Sequence, residues 1–307
     1  MKKELKERIY KAQCIGNVEP IEYMIPYPSM RSLIEGQNIK FSQQVIFNNP
    51  QMTNLQFYEK IHQTAHWLDS IGFKPKDYIK LTEMSFPQTE VLLFAIWQLG
   101  AIAVIPSKHN LNESIKQLNL KNLIPMDMNL FDLIKGLPKE FSPKYKPLLD
   151  DEALITFEKG IGIRLSHYNL LVNTNSIQKA LNIKSRTSFS CTLKSRSAAW
   201  VILKAILPIY CGCIFDEEKA KITIGESNCD INIRTDLENI SKYNETDLAI
   251  CPENGAVLAL GQDPMHLTKF QIQKDKIKIQ GHSLMMGYLD NNINDEQFHD
   301  GAFFLQL

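Results

Sequence analysis

Along residues 53–71 the apolar side chains Leu55, Tyr58, Ile61, Ala65, Leu68 and Ile71 recur at spacings of three and four. That is one face of an amphipathic helix, with Thr53 placed to cap its start and Gly72 to end it. Residues 77–81 read as a short strand. The stretch Gln88–Leu99 is apolar nearly all round (Val91, Leu92, Leu93, Phe94, Ala95, Ile96, Trp97), so it is predicted to be a helix buried on every side. Gly100 stops it, and residues 101–105 form a buried strand closed by Pro106. A weaker helix from Leu111 leads to a strand at 122–124. Residues 135–149 carry Pro138, Pro143 and Pro147 and read as a connector.

Beyond Asp150 the alternation resumes. Residues 153–157 form a strand, Ser166 caps a helix over 167–181, and a second buried helix over 198–207 ends at Pro208. After Asp230 the periods shorten, with strands at 255–260 and 276–279. This alternation predicts an α/β fold of two layered αβα subdomains with mainly parallel sheets, over residues 1–149 and 150–250, and a small β-rich remnant over 251–307.

Charge and composition narrow the classes. Lys plus Arg and Asp plus Glu are equal at 34 each in 307 residues, so the formal net charge is zero. No basic stripe marks a nucleic-acid binder. The first eight residues carry both signs and read as a solvated helix, not as a targeting peptide. No apolar run reaches the ~20 residues that span a bilayer. The longest, at 91–105, holds Gln98 and Gly100. Six cysteines form no C-x-x-C pair and have no neighbouring His to complete a zinc set, so no metal site is expected. With no leader recognised, reduced thiols and a cytoplasmic location are expected.

Four stretches, in order, resemble the acyl-CoA synthetase or AMP-dependent ligase superfamily, whose members activate a carboxylate with ATP to an acyl-adenylate. Phe94-Ala95-Ile96-Trp97-Gln98-Leu99-Gly100-Ala101 through Pro106 is similar to the family's "fAxwxxGAxxxP", and carries scaffold only. Residues 150–157 resemble the strand that feeds the phosphate loop, and Gly162-Ile163-Arg164-Leu165-Ser166-His167-Tyr168-Asn169-Leu170 resembles the "G-V-x-L-S-H-x-N-L" after it. Lys221 to Ser227 resembles the strand and turn beside the adenine, and Tyr243-Asn244-Glu245-Thr246-Asp247 resembles "Y-G-x-T-E". Residues 276–289 resemble "G-E-I-x-V-x-G-x-x-x-m-x-G-Y", and Phe298 to Phe304 resembles "F-x-D-G-W-F".

The departures fall on the chemistry. Where the family carries T-S-G-T-T-G-x-P-K, this sequence has only Glu158-Lys159-Gly160-Ile161. Several backbone N–H groups and hydroxyls must face a triphosphate, with glycines permitting close approach. One Gly beside an acidic Glu158 does not supply them. The family's ribose-binding Asp, its hinge and the small C-terminal ligase domain with its lysine have no counterpart before Leu307.

The resemblance implies vestigial nucleotide-binding positions at Gly225, Glu226, Ser227, Tyr243 and Asp247. A surface turn is the plain alternative for 243–247. Thr192 to Ser197 stands where the family has "l-P-x-f-H". Its cations and hydroxyls suit a carboxylate or phosphate, and a solvated loop is the alternative. The acyl-pocket candidates are Arg196, Ser197 and Trp200. Adjacent Ser166 and His167 suggest a nucleophile and base, but helix capping explains them better. Met126, Asp127 and Met128, with Met285 and Met286, read as core or pocket filling.

These readings predict a degenerate, non-catalytic homologue associated with a biosynthetic pathway, with no catalytic residue and no cofactor. Intact members would use ATP with magnesium and coenzyme A. The implied partners are a protein or a second copy of this chain on the face that the C-terminal domain would cover, and an acyl or aryl carboxylate as ligand. The alternative is a carboxylate-activating ligase with residual activity, or one completed in trans by another chain.

Overall fold

The computed structural model describes residues 3–106, 118, 120 and 129–307. The predicted helix from Leu111, the strand at 122–124 and Met126 to Met128 lie outside the described residues. The amphipathic pattern after Thr53 folds as the helix Asn54–Ser70, opened by a capping box. The Gln56 amide donates to Thr53 Oγ1 at 3.2 Å, and the Gln56 side chain accepts the Thr53 amide at 2.9 Å. Its apolar face packs on Gln88–Leu99, in which every residue is buried. Gly100 ends that helix at φ 83°, where a Cβ would stand 2.7 Å from the Tyr145 ring. Only glycine serves both needs.

Three sheets follow from these elements. The first holds Tyr78–Lys80, Ile102–Ile105, Glu152–Glu158 and Ile161–Ser166 in that order, parallel except for the last pair. The second has nine strands. Its parallel centre runs through Ile231–Arg234, Ile222–Gly225, Ser188–Cys191 and Ile214–Phe215. Asp247–Ile250 lies parallel beside Ile231–Arg234, and Val257–Leu260 and Asp263–Pro264 close that side antiparallel. The third sheet is small and antiparallel: Thr268–Gln273, Lys276–Gly281, Ala302–Gln306 and Phe298–His299. The larger of two apolar core clusters among the described residues includes Phe57, Phe94, Trp97, Phe189, Trp200 and Phe215, and the smaller holds Ile102, Val104, Ile155 and Phe157.

Sheet membership does not follow the expected divisions at 150 and 250. The hairpin of Glu152–Glu158 and Ile161–Ser166 completes the first sheet, Val45–Phe47 and Met52–Thr53 edge the second, and the third begins only at Thr268. Hydrogen-bond partners place a strand, not its neighbours in sequence. Ala103 to Ile105 pair with Leu154 to Thr156, and Trp97 Nε1 donates to the Ala153 carbonyl at 2.8 Å. The proline-rich connector therefore ends on the sheet it left.

Two expectations need correcting. The first helix, Lys3–Gln13, is not solvated all round: Leu5, Ile9 and Ala12 are buried against the small antiparallel sheet. Nor does the helix from Ala198 stop at Pro208. Ala198–Trp200 continues through a π-helical turn, Val201–Ile206, into Leu207–Cys211. The wider turn restarts the register so that Pro208 falls in a new first turn, where its missing N–H has no partner to lose.

His167 is buried beneath the first helix layer, and its Nδ1 accepts the Met30 amide at 3.4 Å. Burial drives its pKa from 6.5 down to about 4, although the charge of Asp151 pulls the other way. A depressed pKa confers stability that is complete above 6.5 and is lost as the pH falls through 4. At ~1.4 kcal/mol per unit the loss is roughly 3 kcal/mol. Urea denaturation at pH 7 and pH 4.5 should therefore show a smaller pH-dependent fall for His167→Gln than for the unmodified protein. Equal falls would overturn this assignment.

Candidate functional site

The strands Tyr78–Lys80 and Ser188–Cys191 lie in different sheets, and the segments leaving their C-terminal ends face each other. Between them lies a cavity of about 200 Å³, lined by Glu83, Met84, Phe86, Thr89 and Glu90 from the first sheet and by residues 192–195, Trp200 and Lys204 from the second. The carboxyl ends of parallel strands are where α/β sheets hold ligands, because backbone groups there are free of the ladder. Thr89 fixes one wall: its Oγ1 accepts the Met84 amide at 2.8 Å and donates to the Met84 carbonyl at 2.9 Å. Arg196 closes the rim with an ion pair to Glu83 at 3.0 Å. Both partners are well exposed, so this pair adds little stability.

Trp200 and Lys204 are four residues apart and share one face of their helix. The Lys204 ammonium lies 5.5 Å from the Phe86 ring centre and 5.2 Å from that of Phe215, and 3.5 Å from Glu217. Its side chain is only 12% exposed, so this cation is held largely out of water. Opposite stands Glu90, in the first turn of the Gln88–Leu99 helix and only 4% exposed. Its Oε2 has no hydrogen-bond partner. Burial raises its pKa from 4.5 to about 7, opposed by its own backbone amide and by Lys204. Among the described residues no His or Cys lines the cavity. The Cys191 thiol just outside is pushed up to about 12 by burial and is inert. The arrangement suits binding, with no nucleophile and base set side by side.

The structure distributes the expected site residues unevenly. Trp200 lines this cavity, Arg196 pairs with Glu83 of its lining, and Ser197 is a helix cap whose Oγ accepts the Trp200 amide at 3.2 Å. Gly225 serves packing: a Cβ there would stand 2.3 Å from Thr192 Oγ1 and 2.8 Å from Cys229 Sγ. Glu226 and Ser227 are exposed on the loop that follows. Tyr243 lies elsewhere, lining a separate cavity of about 490 Å³ with Glu245 and residues 260–265, into which none of 225–227 reaches. Its hydroxyl donates to Asp236 at 3.1 Å, and burial followed by that bond raises its pKa. Asp247 is buried, accepts the Asn244 amide at 2.8 Å and pairs with Arg234 at 3.4 Å. Its oxygens are thus committed to closing a turn. Among the described residues no group of three or more His, Cys, Asp or Glu is placed to hold a metal.

Between Glu158 and Ile161, which pair directly, the chain turns in two residues, Lys159 at φ 49° and Gly160 at φ 85°. Two successive positive φ angles are the mark of a type I′ hairpin turn, the tightest link two antiparallel strands accept. Residues 158–160 are exposed. A magnesium triphosphate needs a loop that wraps it, and these residues do not fit one.

Glu90 and Lys204 were missed by the sequence reading, as were Glu83, Met84, Phe86 and Thr89. A signal was present: each helix that reads as buried carries one charged residue, and a buried charge needs a reason. The run at 192–197 was singled out, and 192–195 do line the cavity.

No protein-family model matches the sequence, and no curated protein does. Solved structures do. The N-terminal subdomain of Klebsiella oxytoca NpsA in complex with 3-hydroxyanthranilyl-AMSN is 15% identical, with 91% of this chain and 95% of that one covered at a TM-score of 0.73. The anthranilate CoA ligase AuaEII in complex with anthranoyl-AMP is 13% identical, with 92% and 74% covered at 0.73. The N-terminal domain of FACL13 from Mycobacterium tuberculosis is 12% identical, with 90% and 95% covered at 0.74. The fold is therefore that of the N-terminal domain of adenylate-forming enzymes, as the resemblance implies. Among the described residues no helix is long and apolar enough to cross a membrane.

Two outcomes follow for the site. Glu90, its folded pKa raised from 4.5 to about 7, confers stability that is complete below 4.5 and is lost as the pH rises through 7. Glu90→Gln should gain roughly 3 kcal/mol on the unmodified protein between pH 4.5 and pH 8, seen by denaturant titration. A difference that does not change with pH would sink the assignment. Gly225→Ala should lower stability by about 1–3 kcal/mol through overpacking, and adding Thr192→Ala should return most of it. Strict additivity would mean that the Thr192 contact is not the cause.

Proposed function

We propose that this protein binds a small carboxylate in the cavity between residues 83–90 and 192–204 and does not adenylate it. The observation that carries this reading is the two-residue turn at Lys159 and Gly160. Adenylyl transfer depends on positioning and on charge stabilisation around the phosphates, and removing even one preorganised donor costs about 2.7–4 kcal/mol of barrier. A hairpin with no loop offers none of the several donors a triphosphate takes. Asp247, expected among the vestigial nucleotide-binding positions, is engaged by Asn244 and Arg234.

What supports retained binding is the cavity itself. Lys194, Lys204, Thr192 and Ser195 supply charge and hydroxyls for a carboxylate, while Met84, Phe86 and Trp200 supply apolar wall. AuaEII and NpsA are described with two-part ligands, anthranoyl-AMP and 3-hydroxyanthranilyl-AMSN. This chain is read as keeping room for the acyl part and losing the nucleotide part.

Calorimetry with Mg-ATP and AMP should give no binding at millimolar ligand, and a carboxylate panel with Mg-ATP should release no pyrophosphate. Carboxylates alone should raise the melting temperature. Steady pyrophosphate release from the purified protein would refute the reading and restore that of a ligase.

A further inference from the structure

We infer that the free edge of the strand Thr268–Gln273 takes up an extended peptide in which acidic and apolar residues alternate, as a fifth strand of the small antiparallel sheet. None of its residues lines either cavity, so this inference is independent of the carboxylate proposal. The strand stands at the end of its sheet, and among the described residues it pairs only with Lys276–Gly281. Gln273 faces Lys276 across a two-residue turn, so that pair exchanges its backbone hydrogen bonds. Alternation puts Gln271 and Lys269 in the same class. The N–H and C=O groups of Phe270 and Ile272 therefore point away from the ladder. Such a row fixes the class of ligand, because an extended chain presents its own donors and acceptors at the matching spacing.

The two faces of the edge select the side chains. On the inner face the Lys3–Gln13 helix packs against the other three strands, and its cover thins at this one. Thr268 is buried, Phe270 is half-buried and Ile272 is 37% exposed. Apolar side chains on an added strand would complete that cover. On the outer face stand Lys269, Lys276 and Lys278 with Gln271, Gln273 and Gln280, and these two strands bring no acidic residue there. Lys274 in the turn adds a fourth cation, while Asp275 beside it accepts from the Gln306 side chain at 2.9 Å. Among the described residues none of these four lysines is in an ion pair.

A lysine on an edge also guards a sheet against unwanted pairing. Lys269 alone would serve that end. Lys276 and Lys278 stand one strand further in, about 10 Å from an added strand, a span that a lysine and a glutamate side chain close together. The same charges weigh against a second copy of this chain. Two such edges paired antiparallel about a two-fold axis would gather both lysine sets on one face.

The probe is a labelled peptide of alternating glutamate and valine, capped at both ends and matched to the six residues of the strand. Fluorescence anisotropy should give micromolar binding to the unmodified protein. A peptide of the same composition with its glutamates and valines in two blocks should bind at least about tenfold more weakly. Ile272→Pro removes one outward N–H and leaves the ladder to Lys276–Gly281 intact. With its fold checked by thermal melt, it should bind the alternating peptide about tenfold more weakly. Lys276→Glu combined with Lys278→Glu should abolish that binding and confer binding of an alternating lysine and valine peptide. Equal binding of the two glutamate peptides, or undiminished binding by Ile272→Pro, overturns strand addition. Binding of a single-stranded oligonucleotide in place of the peptides would make the lysine face a polyanion site and overturn it too, as would no binding at all.

Discussion

The Gln88–Leu99 helix is enclosed on every side, and that enclosure sets the conditions for the rest of the molecule. It packs under Asn54–Ser70, touches Met30–Phe41, and anchors the first sheet through Trp97 and Ala153. A helix without a wet face tolerates no idle charge. Glu90, in its first turn, is therefore not an incidental surface carboxyl: burial raises its pKa from 4.5 to about 7. The same logic applies across the gap, where the π-helical turn at Val201–Ile206 aims Lys204 between two aromatic rings. Two otherwise apolar helices each spend one charge on the same small space.

The hairpin at Lys159 and Gly160 joins its two strands by the shortest link that antiparallel pairing accepts. The register from Glu152 to Glu158 against Ile161 to Ser166 is continuous to the last pair, so the strands need nothing more from the link than a reversal of direction. A longer loop there would serve a ligand and not the sheet. With the two-residue link the hydrogen-bond ladder is complete, Ser166 caps the next helix and His167 is buried. The pairing of these strands is thus independent of the length of the segment that joins them.

Much of this was legible in the chain. The Thr53 and Ser166 caps, the all-buried helix stopped by Gly100 and the strand before Pro106 follow from local rules of spacing and capping, which act over a few residues and leave a mark at each. Sheet membership leaves no such mark. Nothing in residues 152–166 says that they return to the first sheet, since pairing depends on partners about fifty residues away. The candidate site was half legible for the same reason. The run at 192–197 announces itself by its charge, but its counterpart around Glu90 is joined to it only in space. Tyr243 and Gly225 were grouped by their order in a motif, and the fold assigns them to different neighbours.

The two cavities differ in a way that bears on which is built for a ligand. The one beside Tyr243 is larger, but Tyr243's own hydroxyl is already paired with Asp236, and its walls are the turn of a hairpin. The smaller one holds an unpaired buried oxygen and a half-satisfied buried cation on rigid helices from two sheets. Volume alone costs a protein little at its surface. Leaving the Glu90 oxygen buried without a hydrogen-bond partner costs stability.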